Sequence, residues 1–305
     1  MSVPAAYLGV ILIWSTTPLA IQWSGEGPGY LFGVTSRMAI GAVVAFAVAR
    51  ALGVALPRHR RALATYLAAG LGIYGAMLSV YWAAQFIPSG WISVLFGLTP
   101  MVTGLLSALW LGERALTPWK LLGLLLGVAG LVVIFGEGGR WQDGAGLGVA
   151  GVLWSVSLHS ASAVWIKRIG GGVGGLATTT GALLVAAPLF LVTWGLVGDG
   201  WPVQLGARAG LSILYLGILG SVLGFALYYF VLGHVSATRV ALITLVTPVI
   251  ALLLGHWVNG EPLYAGVWVG SGLILGGLLA FEFGGRVWRN KRPVPGSRRE
   301  SGATR

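Results

Sequence analysis

Four kinds of side chain in this 305-residue sequence combine chemical potential with a place deep inside an apolar run: one arginine, one histidine, two Thr-Pro pairs and a set of polar-tipped aromatics. Arg37 is the only charged residue within such a run, about seven residues from its start, or about 10 Å along a helix that rises ~1.5 Å per residue. A charge at that depth is costly and faces a cavity or a partner. Arg37 therefore either attracts an anionic group such as a solute carboxylate, or reaches back to the interface and fixes its helix. His159 lies mid-run, five residues after Trp154, and is either a group that titrates near neutral pH or a hydrogen-bonded structural histidine. Pro100 and Pro248 each follow a threonine near the middle of a run, where proline removes one backbone hydrogen bond and frees a carbonyl one turn earlier. Such breaks are tolerated in membranes where protein buries them or where they line a cavity. They mark either a solute site or a packing kink, and Thr99 and Thr247 either cap the freed carbonyls or face the solute.

The aromatics add a wall. Tyr74, Met77, Tyr81 and Gln85 recur at helical spacing along one face, and Ser221, Phe225, Tyr228 and Tyr229 occupy a second helix. With Trp14 and Trp154 they would line an amphipathic cavity, or else pack helices together. The candidate solute-binding set is thus Trp14, Arg37, Tyr81, Thr99, Trp154, His159, Tyr229 and Thr247, with Pro100 and Pro248 as helix breaks that would gate it. Catalysis has no comparable support: there is no Gly-x-Ser-x-Gly nucleophile motif and no paired-histidine metal motif. His59, His159, His234 and His256 fall too far apart to form a metal cluster, and the chain has no cysteine. Neither a cofactor nor a metal nor enzymatic activity is expected. Glu113, Glu261 and Glu282 all fall near the ends of runs, so no mid-span carboxylate is available to couple transport to protons. Facilitated diffusion and a scheme based on His159 both stay open.

The elements that must position these residues are membrane spans. With 56% hydrophobic residues, 9% charged residues and a mean hydropathy of +0.86, the chain cannot hide its apolar surface in water. Runs of about 20 apolar residues suit one crossing each, and they fall near 3 to 23, 31 to 50, 63 to 84, 90 to 111, 119 to 136, 146 to 166, 175 to 197, 209 to 231, 239 to 258 and 263 to 284. The first run lacks a basic leader and a cleavage site and is expected to stay as a span. Alternating the connections from an inside N-terminus puts sixteen Lys and Arg inside, seven of them in the tail, and only Arg140 and Arg208 outside. This bias orients the chain with both termini cytoplasmic, and it accounts for the net charge of +11 without nucleic acid as a partner. Tryptophans near span ends, such as Trp23, Trp110 and Trp257, read as interfacial anchors.

The runs also repeat. Thr99-Pro100 precedes Gly112-Glu113 by the interval that separates Thr247-Pro248 from Gly260-Glu261, and Trp14-Ser15 answers Trp154-Ser155, as Tyr81 does Tyr229. Gly123 and Gly130 correspond to Gly270 and Gly277. Because five is odd, the second copy enters the membrane the other way round. The fold class is therefore an all-α membrane protein of ten transmembrane helices in two inverted five-helix repeats, 3–136 and 146–284, followed by a basic cytoplasmic tail, 285–305.

On these residues the sequence resembles the EamA-type transporters of the drug/metabolite transporter superfamily. The resemblance rests on the two Trp-Ser pairs, Arg37, and the stretch from Pro100 to Gly112-Glu113-Arg114 with the glycine-rich helix after it. It departs at Pro262, where the family often has a basic residue, and at Gly181, which answers Arg37. The resemblance implies a secondary transporter of small organic solutes in the bacterial inner membrane, such as an exporter of amino acids, other metabolites or drugs working by alternating access. Carriage of nucleotide-sugar-like or other anionic metabolites is the alternative, ahead of a channel or an intramembrane enzyme. The expected partners are a small-molecule substrate and lipid; small-xxx-small pairs such as Gly266 with Gly270 leave monomer and homodimer both open. Reporter fusions test the orientation: a fusion at Ser297 should report cytoplasmic and one at Gln142 external, and identical signals from both would refute it.

Overall fold

The computed structural model describes residues 2–112, 118–136, 144–245 and 247–290. Glu113, Arg114, Arg140, Gln142 and the tail beyond Asn290 lie outside the described residues. Among the described residues, seven helices are long and apolar enough to cross a membrane. Three shorter apolar helices, Pro118–Gly130, Thr247–Asn259 and Ala265–Phe281, complete the ten.

The first half comprises α1 (Val3–Ser24), α2 (Tyr30–Ala51), α3 (Arg60–Ala83), a fourth span split into α4 (Ser89–Phe96) and α5 (Thr99–Leu111), and α6 (Pro118–Gly136). In the second half, α7 (Ala145–Ile169) and α8 (Gly175–Val197) precede an eighth span made of α9 (Ala207–Tyr215), a π-helical stretch (Leu216–Leu223) and α10 (Gly224–His234). The ninth span is α11 (Ala237–Ala241), a 3₁₀ turn (Leu242–Leu245) and α12 (Thr247–Asn259), and α13 (Ala265–Asn290) closes the chain. Local signals set several ends. The Ser2 hydroxyl accepts the Ala5 amide at the start of α1, the His59 imidazole accepts the Ala62 amide at the start of α3, and Gly170, at φ +59°, takes the left-handed turn that ends α7.

The two halves are related by a pseudo-twofold axis, and their packing shows it. α3 lies on α7 and α8, while its counterpart, the α9–α10 span, lies on α1 and α2. The counterparts α2 and α8 pack on each other antiparallel: the Thr35 hydroxyl donates to the Phe190 carbonyl at 3.4 Å and the Thr180 hydroxyl to the Ala45 carbonyl at 3.3 Å. α6 and α13 do the same through glycine. A Cβ on Gly123 would stand 2.4 Å from the Gly277 carbonyl oxygen, and one on Gly130 would stand 2.5 Å from that of Gly270. These two contacts exchange with one another when the halves are swapped, as an inverted repeat requires.

The proline-bearing spans are interrupted at matching depth. The fourth pauses at Gly97 and Leu98, the ninth at the 3₁₀ turn, and in each the Thr-Pro pair opens the second segment. Pro100 sits where a helix start leaves an amide unpaired anyway, so it costs no hydrogen bond. The fourth span is thus α4 and α5 in succession, and the ninth is α11, the 3₁₀ turn and α12, in place of continuous kinked helices.

At the end of the bundle holding Ser24 and Ser89, a carboxylate ties three spans together. Glu261 is 8% exposed. Its Oε1 accepts from the Ser89 amide (3.1 Å), the Ser89 hydroxyl (2.6 Å) and the Asn259 side-chain amide (3.2 Å), and its Oε2 from the Gly90 amide (3.1 Å). Asn259 in turn accepts from Trp23 and donates to Gln22 at the end of α1. Negative charge at the N-terminus of α4 also meets the positive end of its helix dipole.

Two predictions follow from this packing. Gly123→Leu should remove most of the monodisperse folded protein in fluorescence-detected gel filtration, whereas Gly272→Leu, whose Cβ would meet nothing within 4 Å, should leave it intact. Glu261→Ala should lower the detergent melting temperature, because it orphans buried donors at about 1–3 kcal/mol each.

Candidate functional site

The halves enclose a cavity of about 70 Å³, lined from α1, α2, α3, the fourth, eighth and ninth spans and α7. α1 supplies Trp14, Thr17, Pro18 and Ile21. Pro18 lies inside its helix, one turn beyond Trp14.

Arg37 is the polar centre of this cavity. Its side chain is 2% exposed, Nε donates to the Ser221 hydroxyl at 2.9 Å, and Nη1 donates to the Tyr81 hydroxyl at 3.4 Å. The guanidinium lies 5.9 Å from the Tyr81 ring centroid, a cation-π approach. Both polar partners are neutral hydroxyls. The only ion pair among the described residues, Arg208 with Glu26, is exposed at the end of the bundle. The close fit of α2 to the eighth span depends on small residues: a Cβ on Gly220 would stand 3.3 Å from Arg37 Nη2, and one on Gly41 would stand 3.0 Å from Ser221 Cβ. The wider π-helical winding of residues 216–223 carries Ser221 at this point, and π segments are frequent at functional sites.

An aromatic layer forms one wall. The Trp14 ring stacks on Tyr228 at 5.1 Å and meets His159 edge-on at 5.8 Å, and His159 lies 5.1 Å from Tyr228. Phe225 and Phe96 complete it, at 6.3 Å from Trp14 and 6.5 Å from His159. The chemistry available is recognition: apolar and aromatic surface for the body of a solute, one fixed cation for its charge, and the Thr17, Ser93, Thr244 and Thr247 side chains for polar edges. Among the described residues no group of three or more His, Asp or Glu could hold a metal ion.

Of the residues singled out from sequence, Trp14, Arg37, His159 and Thr247 line this cavity, and Tyr81 stands behind Arg37 as its partner. Trp154 does not join them. It is 61% exposed in a cleft on the outer surface with Tyr30, Trp82 and Thr193, because its place on α7 faces away from the axis; the expectation that it mirrors Trp14 in the cavity is corrected. Tyr229 is buried in a separate pocket, its ring 5.2 Å from Tyr228. Thr99 is buried and donates to the Phe96 carbonyl at 2.5 Å, so it closes the break in its own span and does not face solute. Pro100 and Pro248 are buried beside the breaks. Sequence reasoning missed Pro18 and Thr17, although a proline within the first span was a visible signal, and it missed Ser93 and Thr244, which carry none.

Two inverted five-helix halves around an amphipathic cavity with broken helices at matching depth define a membrane transporter. The pattern of the EamA-like transporter family matches residues 3–136 and again 146–282, and the chain belongs to that family. It is similar to the probable terminal-alkyne amino-acid exporter of Streptantibioticus cattleyicolor, 26% identical across 94% of this chain and 96% of that protein. The uncharacterized inner membrane transporter YedA of Escherichia coli is 27% identical across 88% and 87%. The aromatic amino acid exporter YddG of Ancylobacter novellus is 32% identical, across 41% of this chain and 43% of its own length. A solved crystal structure 25% identical in sequence superposes with a TM-score of 0.69, covering 95% of this chain and 99% of that one.

The site makes Ser221 a support for Arg37. Ser221→Ala should lower stability by about 1–3 kcal/mol, the cost of a buried charged donor losing its acceptor. The expected readout is a lower thermal midpoint in detergent, with no such fall for an alanine at the exposed Trp154.

Proposed function

We propose that the protein exports amphipathic organic solutes bearing a carboxylate, foremost amino acids with aromatic or branched apolar side chains, by alternating access of the central cavity. The observation that carries this reading is the buried Arg37 guanidinium, held by two neutral hydroxyls and facing an apolar cavity. A cation so placed is stabilised by an anion that arrives with the solute, and a bidentate guanidinium–carboxylate pair fits that need. The names of two relatives, exporters of amino acids, point the same way. The protein is a carrier without covalent chemistry, its repeats 3–136 and 146–284 acting as two units that rock about the cavity. Its place is the inner membrane with both termini and the basic tail, 285–305, cytoplasmic. In support, Lys167 and Arg239 stand at the end of the bundle opposite Glu26 and Arg208, the arrangement expected of an inside and an outside face.

Counterflow in proteoliposomes tests this. A panel of labelled amino acids should show accumulation of L-phenylalanine or L-leucine against unlabelled solute inside, and none of the corresponding amides. Arg37→Ala should raise the half-saturation concentration about 10- to 100-fold, the range expected from losing a charge-assisted bond of about 1.5–3 kcal/mol. Arg37→Lys should fall between, since an ammonium keeps the charge and loses the fork. Unchanged transport of every carboxylate by Arg37→Ala at normal folded yield would overturn the reading.

A further inference from the structure

A second polar pocket lies at the other side of the aromatic layer. It is bounded by the start of α3, the end of α7 with the glycine turn after it, the start of α8 and the end of α10, and has a volume of about 220 Å³. Thr65, Lys167, Thr178 and Tyr229 supply its polar atoms, and Ile166 and Leu232 supply apolar surface. Two of these polar groups are uncommitted. Lys167 is half-buried and, among the described residues, forms no ion pair. Tyr229 is 6% exposed, and among the described residues nothing hydrogen-bonds its hydroxyl, although it borders the pocket.

The turn between α7 and α8 keeps the pocket open. Gly170 and Gly172 have φ of +59° and +63°, and a Cβ on Gly171 would stand 2.6 Å from the Thr65 hydroxyl. Larger residues here would fill the space between Lys167 and Thr65. Tyr228 and Tyr229, adjacent on α10, divide the two pockets: Tyr228 stacks on Trp14 at the wall of the central cavity, and Tyr229 borders the second pocket. The pocket is therefore a vestibule, set apart from the central cavity by the adjacent tyrosines of α10.

We infer that this vestibule is a binding site for the carboxylate of the transported solute, held by the Lys167 ammonium and the Tyr229 hydroxyl before the solute passes the Trp14–Tyr228–His159 layer to reach Arg37. The inference rests on the solute being a carboxylate, as proposed above. It adds a site, farther along α3, α7 and α10 and completed by α8, with a cation of its own. Lysine suits a transient station, because its point charge grips an anion without the fixed geometry of a guanidinium.

The test is photolabelling of the purified full chain with photo-leucine, an amino acid whose diazirine inserts into neighbouring bonds, followed by peptide mapping. Photo-leucine amide serves as the uncharged comparison. Label is expected on the 61–66 and 226–233 segments, about tenfold weaker with the amide, and about tenfold weaker in Lys167→Gln. Tyr229→Phe should weaken it several-fold at unchanged folded yield. Arg37→Gln should raise the half-saturation concentration for transport about 10- to 100-fold and leave vestibule label in place, so that failure of the vestibule and failure of the central reading are told apart. Equal vestibule labelling by acid and amide, or equal labelling of Lys167→Gln and the unaltered protein, would overturn the site. Loss of label in Arg37→Gln with retention in Lys167→Gln would also overturn it, placing all recognition in the central cavity.

Discussion

Lipid offers no partner to a backbone amide or carbonyl, and every place where a helix of this protein starts or stops inside the bundle must be closed by another part of the chain. Both broken spans obey this constraint. The Glu261 carboxylate takes up the first amides of α4, the Thr99 hydroxyl takes up a carbonyl at the pause before α5, and the opposite half of the molecule surrounds the rest. The cavity lies beside these breaks for the same reason: only there can irregular backbone be buried in protein. Glu261 shows the constraint at its strictest. A buried carboxylate is expensive to desolvate, and this one is matched by four donors, so that α1, the fourth span and the ninth meet in one polar knot.

Much of this was legible in the sequence because membrane insertion writes large, low-resolution signals. Ten apolar runs, the doubled Thr-Pro to Gly-Glu interval and the glycine pairs of α6 and α13 are requirements of lipid and of close backbone approach, and each is visible without knowing any contact. Arg37 was legible for the same reason, since no other charge lies within a span. Rotational placement was not. Trp14 and Trp154 are equivalent in the repeat, yet the first faces the axis and the second the outer surface, and in an evenly apolar helix no stripe records which face is inward. Burial of Glu261 was hidden because a glutamate in a short connection reads as solvated until a neighbouring helix start is brought to it.

The halves share a backbone plan and divide the chemistry unequally. Gly181 answers Arg37, and its bare α-carbon is covered by the Tyr66 ring, which a Cβ would meet at 2.2 Å. The first repeat therefore brings the charge and the second brings Ser221, on a π-helical stretch whose counterpart in α3 is regular α-helix. A polar centre assembled from both halves, Arg37 and Tyr81 of the first and Ser221 of the second, is complete only when α2 and the eighth span are in contact, the packing that a rocking motion would alter.

The same guanidinium also settles what must stay out. A fixed positive charge on the wall of a mostly apolar cavity, with two neutral hydroxyls as its hydrogen-bond partners, would repel any free cation that entered, as arginines do in the constrictions of water-selective pores. Moving one elementary charge through 100 mV is worth about 2.3 kcal/mol, so a cavity that opened to each face in turn and admitted protons or sodium would drain the membrane potential with every cycle. On the proposed reading, the charge that receives the solute's carboxylate would also keep the passage an insulator toward cations.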